Sequence, residues 1–364
     1  MFDPADGIRP HIHALKAYEP IQPFEVVSHL LGRSPEAIVK LDGNENPFGP
    51  LPEVREALAN LRFPHIYPDP QSALLRAALA EYTGVPAEYL LAGAGADELI
   101  DLLMRILLDP GDRILICPPT FGMYAFDAGV NSAQVIAVDR GPDFSVDLPA
   151  VRQTVQRHRP KMLFLASPNN PDGSLLPPDV LQALLDMPVL IVLDEAYVEF
   201  APAGSTCIRQ VPDRANLAVL RTFSKWAGLA GLRVGYGAFP SGLMHSLWKI
   251  KQPYNVSVAA DVAARVSLEH VEDLQRTARR LVEERERLYA ALREVRFLEP
   301  YPSQSNFILC RVLDRQASAV KGELADRGCL VRHFNLPPIQ DHLRFTVGRT
   351  EDTEALLMAL SQLE

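Results

Sequence analysis

Residues 221–237 read RTFSKWAGLAGLRVGYG. One amine, Lys225, stands in this run; Thr222 and Ser224 precede it and Arg233 follows. Small and apolar residues surround the lysine, and Gly228, Gly231, Gly235 and Gly237 allow close backbone approach. A lysine amine in such a setting can lose its proton and attack a carbonyl. Two hydroxyls and an arginine nearby suit a phosphate. The run implies a lysine joined as a Schiff base to an aldehyde that carries a phosphate. A buried loop with a snorkelling lysine is the plain structural alternative, and the rest of the chain weighs against it.

Working outward, short strands NLAVLRTFS and RVGYGAFP flank the lysine. Upstream the order strand, loop, helix recurs. YLLAG leads into ADELIDLLMRILL, RILIC into an aromatic-rich helix start, AQVIAVD into LPAVRQTVQRH, and KMLFLA into LPPDVLQALLD before VLIVLDEAYVEF. Near-continuous apolar strands in this order predict an α/β fold with a mostly parallel seven-stranded sheet covered by helices. Ligands of such sheets sit beyond the C-terminal strand ends. Gly95, Phe121, Asn170, Asp194 and Lys225 each lie just past a strand.

Three units are expected. Residues 1–35 form an arm and short helix that pack on the small domain or a partner subunit. Residues 36–264 form the large domain, and residues 265–364 a smaller α+β domain entered through one long charged helix over about 265–293. The 364 residues and 48% hydrophobic content supply the core this requires. A net charge of -9 without a Lys/Arg run opposes nucleic-acid binding. No apolar run is long enough for a membrane span. Four scattered cysteines without CxxC spacing argue against a disulfide framework and fit the reduced cytoplasm.

The strand-end residues form one constellation. Lys225 supplies the amine. Asp194, after VLIVL, can hold a proton on a ring nitrogen, which makes a pyridinium an electron sink. Asn170 and Tyr197 can hydrogen-bond a ring oxygen. Gly95, Ala96, Thr222, Ser224 and Arg233 can take a phosphate, the first two by backbone N–H groups at a helix start. Phe121 can cover the ring; Tyr124 can stack on it or belong to the core. This set calls for pyridoxal phosphate. Asp194 and Glu195 make a weak metal pair with no histidine near, so no metal is expected. Asn46 lies in a polar loop able to line a site, Tyr67 between Pro64 and Pro68 presents a rigid hydroxyl, and Tyr254 sits in a bend. Arg344 can reach solvent or grip a carboxylate by its fork.

The stretches LDGNENPFGP, YPDPQ, GAGADELI, CPPTFGMY, SPNNPDG, DEAYVEF, RTFSKWAGLAGLRVGY and LRFTVG occur in an order that resembles the fold-type I pyridoxal-phosphate aminotransferases, particularly the histidinol-phosphate branch. The resemblance implies that Lys225 binds the cofactor covalently and moves the proton at the substrate Cα. Asp194 would pair with the pyridine nitrogen, and Asn170 and Tyr197 with the ring oxygen. Ala94 to Asp97, Thr222, Ser224 and Arg233 would hold the cofactor phosphate. Arg344, Asn46 and Tyr254 would bind substrate, Arg344 at its phosphate. Tyr67 would reach the partner's cofactor across a homodimer. The implied reaction moves an amino group between glutamate and imidazole acetol phosphate, a step of histidine synthesis.

Two positions depart from the family pattern. Phe121 stands where tyrosine is usual, and Asp172–Gly173 where threonine precedes the glycine. Aromatic or broad-range aminotransferases and threonine-phosphate decarboxylase are alternatives within the group. A non-catalytic protein that keeps the fold is the alternative outside it.

Overall fold

The computed structural model describes residues 3–18 and 20–363; residues 1, 2 and 19 of the expected arm and residue 364 of the expected small domain lie outside it. The strands in chain order are β1 (Val39–Leu41), β2 (Leu90–Gly93), β3 (Arg113–Ile116), β4 (Gln134–Ala137), β5 (Met162–Ala166), β6 (Leu190–Asp194), β7 (Leu217–Thr222), β8 (Gly235–Ala238), β9 (Leu298–Pro300), β10 (Phe307–Val312), β11 (Cys329–His333) and β12 (His342–Thr346).

Seven of them form the larger sheet in the order β2-β8-β7-β6-β5-β3-β4. β7, β6, β5, β3 and β4 run parallel, while β8 is antiparallel to both β7 and β2. The central strands read as unbroken apolar runs because both faces are covered. On β6, Ile191 and Leu193 enter one core cluster and Val192 enters the other, the period-2 alternation of a pleated strand. β4 is mostly exposed, as an edge strand can be.

The helix Ala96–Leu107 buries Leu99, Ile100, Leu102, Leu103 and Met104 against the sheet. Asp97 and Glu98 occupy its first turn, where carboxylates favour the helix dipole. Its N-cap, Gly95, has φ +84°, a left-handed conformation that suits glycine.

Two expectations are corrected. β1 falls within the residues assigned to the large domain, yet it pairs parallel with β11. It therefore joins the smaller sheet, β1-β11-β12-β10-β9. The single long helix is two, Val258–Glu269 and Val271–Leu292, separated by His270 at φ -117° and ψ 37°. The first packs on Pro52–Ala59 and Ala73–Thr83, so the chain leaves the larger unit near residue 270. The second buries Leu274, Ala278, Leu281, Leu288 and Leu292 and turns most of its charges outward; Arg285 is buried and donates to the Phe200 and Ser305 carbonyls.

The arm divides in the same way. His11 Nε2 contacts the Val130 carbonyl at 3.3 Å and Tyr18 packs edge-on against Phe126, so its first part lies on the larger unit. Arg33 Nη2 donates to the Asp326 carbonyl at 2.8 Å, fixing its second part to the smaller one.

Candidate active site

A cavity of about 130 Å³ opens at the C-terminal ends of β5, β6 and β7. Ala96, Asp97, Phe121, Asn170, Asp194, Tyr197, Thr222, Ser224, Lys225 and Arg233 all contribute to its wall. These are ten of the residues the sequence nominated, brought together from the ends of five strands, β2, β3, β5, β6 and β7, and the connections that follow them. A second space of about 280 Å³ continues from it, sharing Phe121, Asn170, Tyr197 and Lys225 and adding Asn44, Arg332 and Arg344.

At one end, donors converge. Thr222 Oγ1 lies 2.8 Å from Ser224 Oγ and accepts from the Ser224 N–H at 3.1 Å. Arg233 Nη2 donates to Asp97 Oδ2 at 2.8 Å. A Cβ on Gly95 would stand 2.6 Å from that guanidinium nitrogen, and one on Gly235 would stand 2.7 Å from the Ala96 nitrogen. Only glycine at both positions lets the helix start and the arginine come this close. Backbone N–H groups at a helix N-terminus, two hydroxyls and an arginine make an anion cradle.

At the floor, Asp194 is buried. Its Oδ2 accepts from the Tyr124 phenol at 2.7 Å and its Oδ1 from the Ala196 N–H at 3.0 Å. Burial pushes the carboxyl up to about 6, against the lowering effect of those two donors. A carboxyl so placed is a ready partner for a cationic ring nitrogen. Phe121 lines the wall and meets Tyr124 edge-on at 5.5 Å.

Lys225 Nζ donates to the Gly43 carbonyl at 3.4 Å and stands 5.9 Å from the centre of the Tyr197 ring. Asn170 Oδ1 accepts from Arg344 Nη1 at 2.6 Å, and Arg344 Nη2 donates to the Asp42 carbonyl at 2.8 Å. Burial pushes the Arg344 guanidinium down to about 10, partly offset by Tyr197. Its Nε is buried without a hydrogen-bond partner among the described residues. The anion cradle, the buried carboxylate and the lysine line one cavity and fit pyridoxal phosphate by charge and by chemistry.

Other nominated residues lie elsewhere. Asn46 donates to the Trp226 carbonyl at 2.9 Å and accepts from the Phe48 N–H at 3.0 Å, so its amide fixes a loop and does not line either cavity. Tyr67 and Tyr254 stack on each other at 4.6 Å, 79% and 44% exposed, beside a separate groove. Asp172 is buried; its carboxylate accepts from the Asn169 side chain and from the Ser174 N–H, which pins the loop that carries Asn170. Glu195 is engaged by Arg221, Thr206 and the Cys207 N–H, which removes it from any pair with Asp194.

Sequence reasoning missed Arg332, left Tyr124 open, and placed Asn44 with Asn46 only in a polar loop able to line a site. Tyr124 lies three residues after Phe121, in the first turn of the helix Met123–Val130, close enough in sequence to serve the same site. Arg332 is the register partner of Arg344 on the neighbouring strand, a pairing of distant segments that local pattern does not reveal.

The family described as aminotransferase class I and II matches residues 36–360. The chain is 57% identical over 354 residues to the chloroplastic histidinol-phosphate aminotransferase of Nicotiana plumbaginifolia, covering 97% of this chain and 86% of that one. It is 50% identical to the histidinol-phosphate aminotransferase of Roseiflexus castenholzii, covering 98% of each. The structure superposes on histidinol-phosphate aminotransferase from Sinorhizobium meliloti in complex with pyridoxal-5'-phosphate with a TM-score of 0.89 and 26% identity, covering 98% of both chains. With its parallel sheet, its strand-end lysine and these relatives, the chain belongs to the class I and II aminotransferases.

Proposed function

We propose that this chain moves an amino group between L-glutamate and imidazole acetol phosphate, giving histidinol phosphate and 2-oxoglutarate in histidine biosynthesis. The observation that carries the substrate assignment is the arginine pair. Arg332 and Arg344 face one another in register on β11 and β12 and both line the space that opens from Lys225. Two guanidinium groups within reach of one amine suit a substrate whose amine and phosphate lie at opposite ends. The relatives named above act in support.

Bound pyridoxal phosphate supplies an aldehyde for the amine and a ring that withdraws electrons from the substrate Cα. Lys225 would bind that aldehyde and move the proton at the substrate Cα. Asp194 would hold the proton on the ring nitrogen. Tyr197 and Asn170 would serve the ring oxygen, Phe121 would cover the ring, and Thr222, Ser224, Arg233 and the Ala96 N–H would take the phosphate. Arg344 also orients Asn170 through its 2.6 Å bond. Both amino substrates use the same Lys225 in turn, which gives ping-pong kinetics.

The exposed Tyr67–Tyr254 pair, with Phe63, Ile66 and Leu74, supports a homodimer in which Tyr67 reaches the partner's phosphate cradle and Tyr254 accompanies it. No helix among the described residues is long and apolar enough to cross a membrane. The four cysteines are unpaired, in keeping with a reducing, cytoplasm-like compartment.

The experiment compares histidinol phosphate, phenylalanine, aspartate and threonine phosphate as substrates with 2-oxoglutarate, while monitoring CO₂. Histidinol phosphate is expected to react with the highest kcat/KM and without CO₂. Preference for phenylalanine, or CO₂ from threonine phosphate, contradicts the assignment.

A further inference from the structure

Three consecutive residues after β1 each meet a different group of the site. The Asp42 carbonyl accepts from Arg344, the Gly43 carbonyl accepts from Lys225, and Asn44 Nδ2 donates to the Tyr197 hydroxyl at 3.0 Å. β1 belongs to the smaller sheet, so this strip carries the position of that sheet into the cavity. Asn44 is buried, with φ 52°, a left-handed conformation that asparagine tolerates. Its far side is gripped. Thr346 Oγ1 on β12 donates to Asn44 Oδ1 at 3.1 Å and accepts from the Asn44 N–H at 2.9 Å. Asn306 Nδ2 donates to the Asn44 carbonyl at 3.1 Å.

We infer that Asn44 is a positioning residue that turns the Tyr197 hydroxyl into a hydrogen-bond donor aimed at the cofactor's ring oxygen. A phenol has one proton and accepts through its lone pairs. The Asn44 N–H occupies the accepting side of Tyr197, so the phenolic proton is left for the cavity. The direction of the Asn44 amide depends on Thr346. That hydroxyl already accepts from the Asn44 backbone, and its single proton goes to Oδ1. The reversed amide would take this acceptor away from the Thr346 proton, and Tyr197 would have to donate to Asn44 instead. Phe307, edge-on to Tyr197 at 5.1 Å, holds the ring in place. The charged or titratable groups facing Tyr197 are Lys225, Arg344 and the Tyr124 phenol, which is itself bonded to Asp194.

The inference rests on the functional reading above through the cofactor. A donor on the ring oxygen stabilises negative charge there and lowers the pH at which the lysine-bound chromophore gives up its proton. The test is the pH midpoint of the holoenzyme's absorbance change in Asn44→Asp, Tyr197→Phe and the double variant. Aspartate tolerates the same backbone conformation but only accepts, so it draws the Tyr197 proton away. Each single substitution is expected to raise the midpoint by about one pH unit. The double variant is expected to match Tyr197→Phe alone, as it must if Asn44 acts through that hydroxyl.

An unmoved midpoint in Asn44→Asp overturns the inference. So does a further rise in the Tyr197→Phe background, which would mark a plain charge effect. Asn44→Gly, neutral and unstrained at this φ, repeats the test if the aspartate variant does not fold; its upward shift should also vanish beside Tyr197→Phe. Thermal unfolding of the cofactor-free variants separates lost stability from a moved midpoint. If the unsubstituted protein forms no chromophore, both readings fail together; a normal chromophore with an unmoved midpoint sinks only this one.

Discussion

The phenol of Tyr124 donates to Oδ2 of Asp194 at 2.7 Å, from a helix packed on the far side of the cavity floor. Both groups are buried, and burial together with the neighbouring carboxylate holds the Tyr124 phenol well above the usual tyrosine range. It therefore remains a donor at any pH the enzyme meets. Tyr124→Phe removes a bond that favours the Asp194 anion, so the carboxyl should titrate higher still. Activity should then be lost at low pH, the acid limb of kcat/KM moving upward by about one unit. A pH–rate profile of Tyr124→Phe checks this.

The same carboxyl makes a signed prediction for stability. Asp194 titrates near 6 in the folded, cofactor-free chain, above the 3.8 of an ordinary aspartate. Between those values the folded state holds a proton that the unfolded state has lost, so this group makes stability fall as pH rises through the window. The total is about 3 kcal/mol for a shift of this size. Asp194→Asn should remove that slope, as urea titrations of both cofactor-free proteins between pH 4 and 6.5 would show.

Gly95→Ala should disable the phosphate cradle while sparing the core. The new methyl meets Arg233 at 2.6 Å, and the φ of +84° is unfavourable for alanine. Loss of the arginine contact should raise the cofactor Kd by about tenfold or more. Fluorescence titration with pyridoxal phosphate reads this directly.

Arg332→Gln should separate the two substrates. If this side chain serves the phosphate of histidinol phosphate, its KM should rise by about tenfold or more with a smaller change in kcat. The KM for glutamate should move much less, since that substrate carries no phosphate.

The buried pair of Arg221 and Glu195, 2.9 Å apart, lies behind the lysine loop. Arg221→Met leaves Glu195 and Glu199 without their cation and should cost about 3–5 kcal/mol of folding free energy. Chemical denaturation of the cofactor-free protein measures it.

Much of this site was legible because a parallel α/β sheet gathers residues by a local rule. Asp194 ends an apolar strand, and Asn170 and Lys225 each follow one within four residues, so the pattern sits among near neighbours. What was not legible depends on distant pairing. The three residues of β1 say nothing of β11, so their place in the smaller sheet, and with it the role of Asn44, emerged only from the structure. Arg332 was hidden for the same reason. Asn46 came from the same polar loop as Asn44, and the sequence does not tell the two apart until their partners, for Asn46 the Trp226 carbonyl and the Phe48 N–H, are known. The break at His270 carries no proline or glycine to announce it.

The central claim is that the amine of Lys225 binds the cofactor aldehyde. Borohydride reduction of the pyridoxal-phosphate-loaded protein, followed by peptide mass mapping, tests it most directly. A single reduced phosphopyridoxyl adduct on Lys225, absent in Lys225→Ala, is the predicted result. An adduct confined to another lysine, or none at all, would contradict the account.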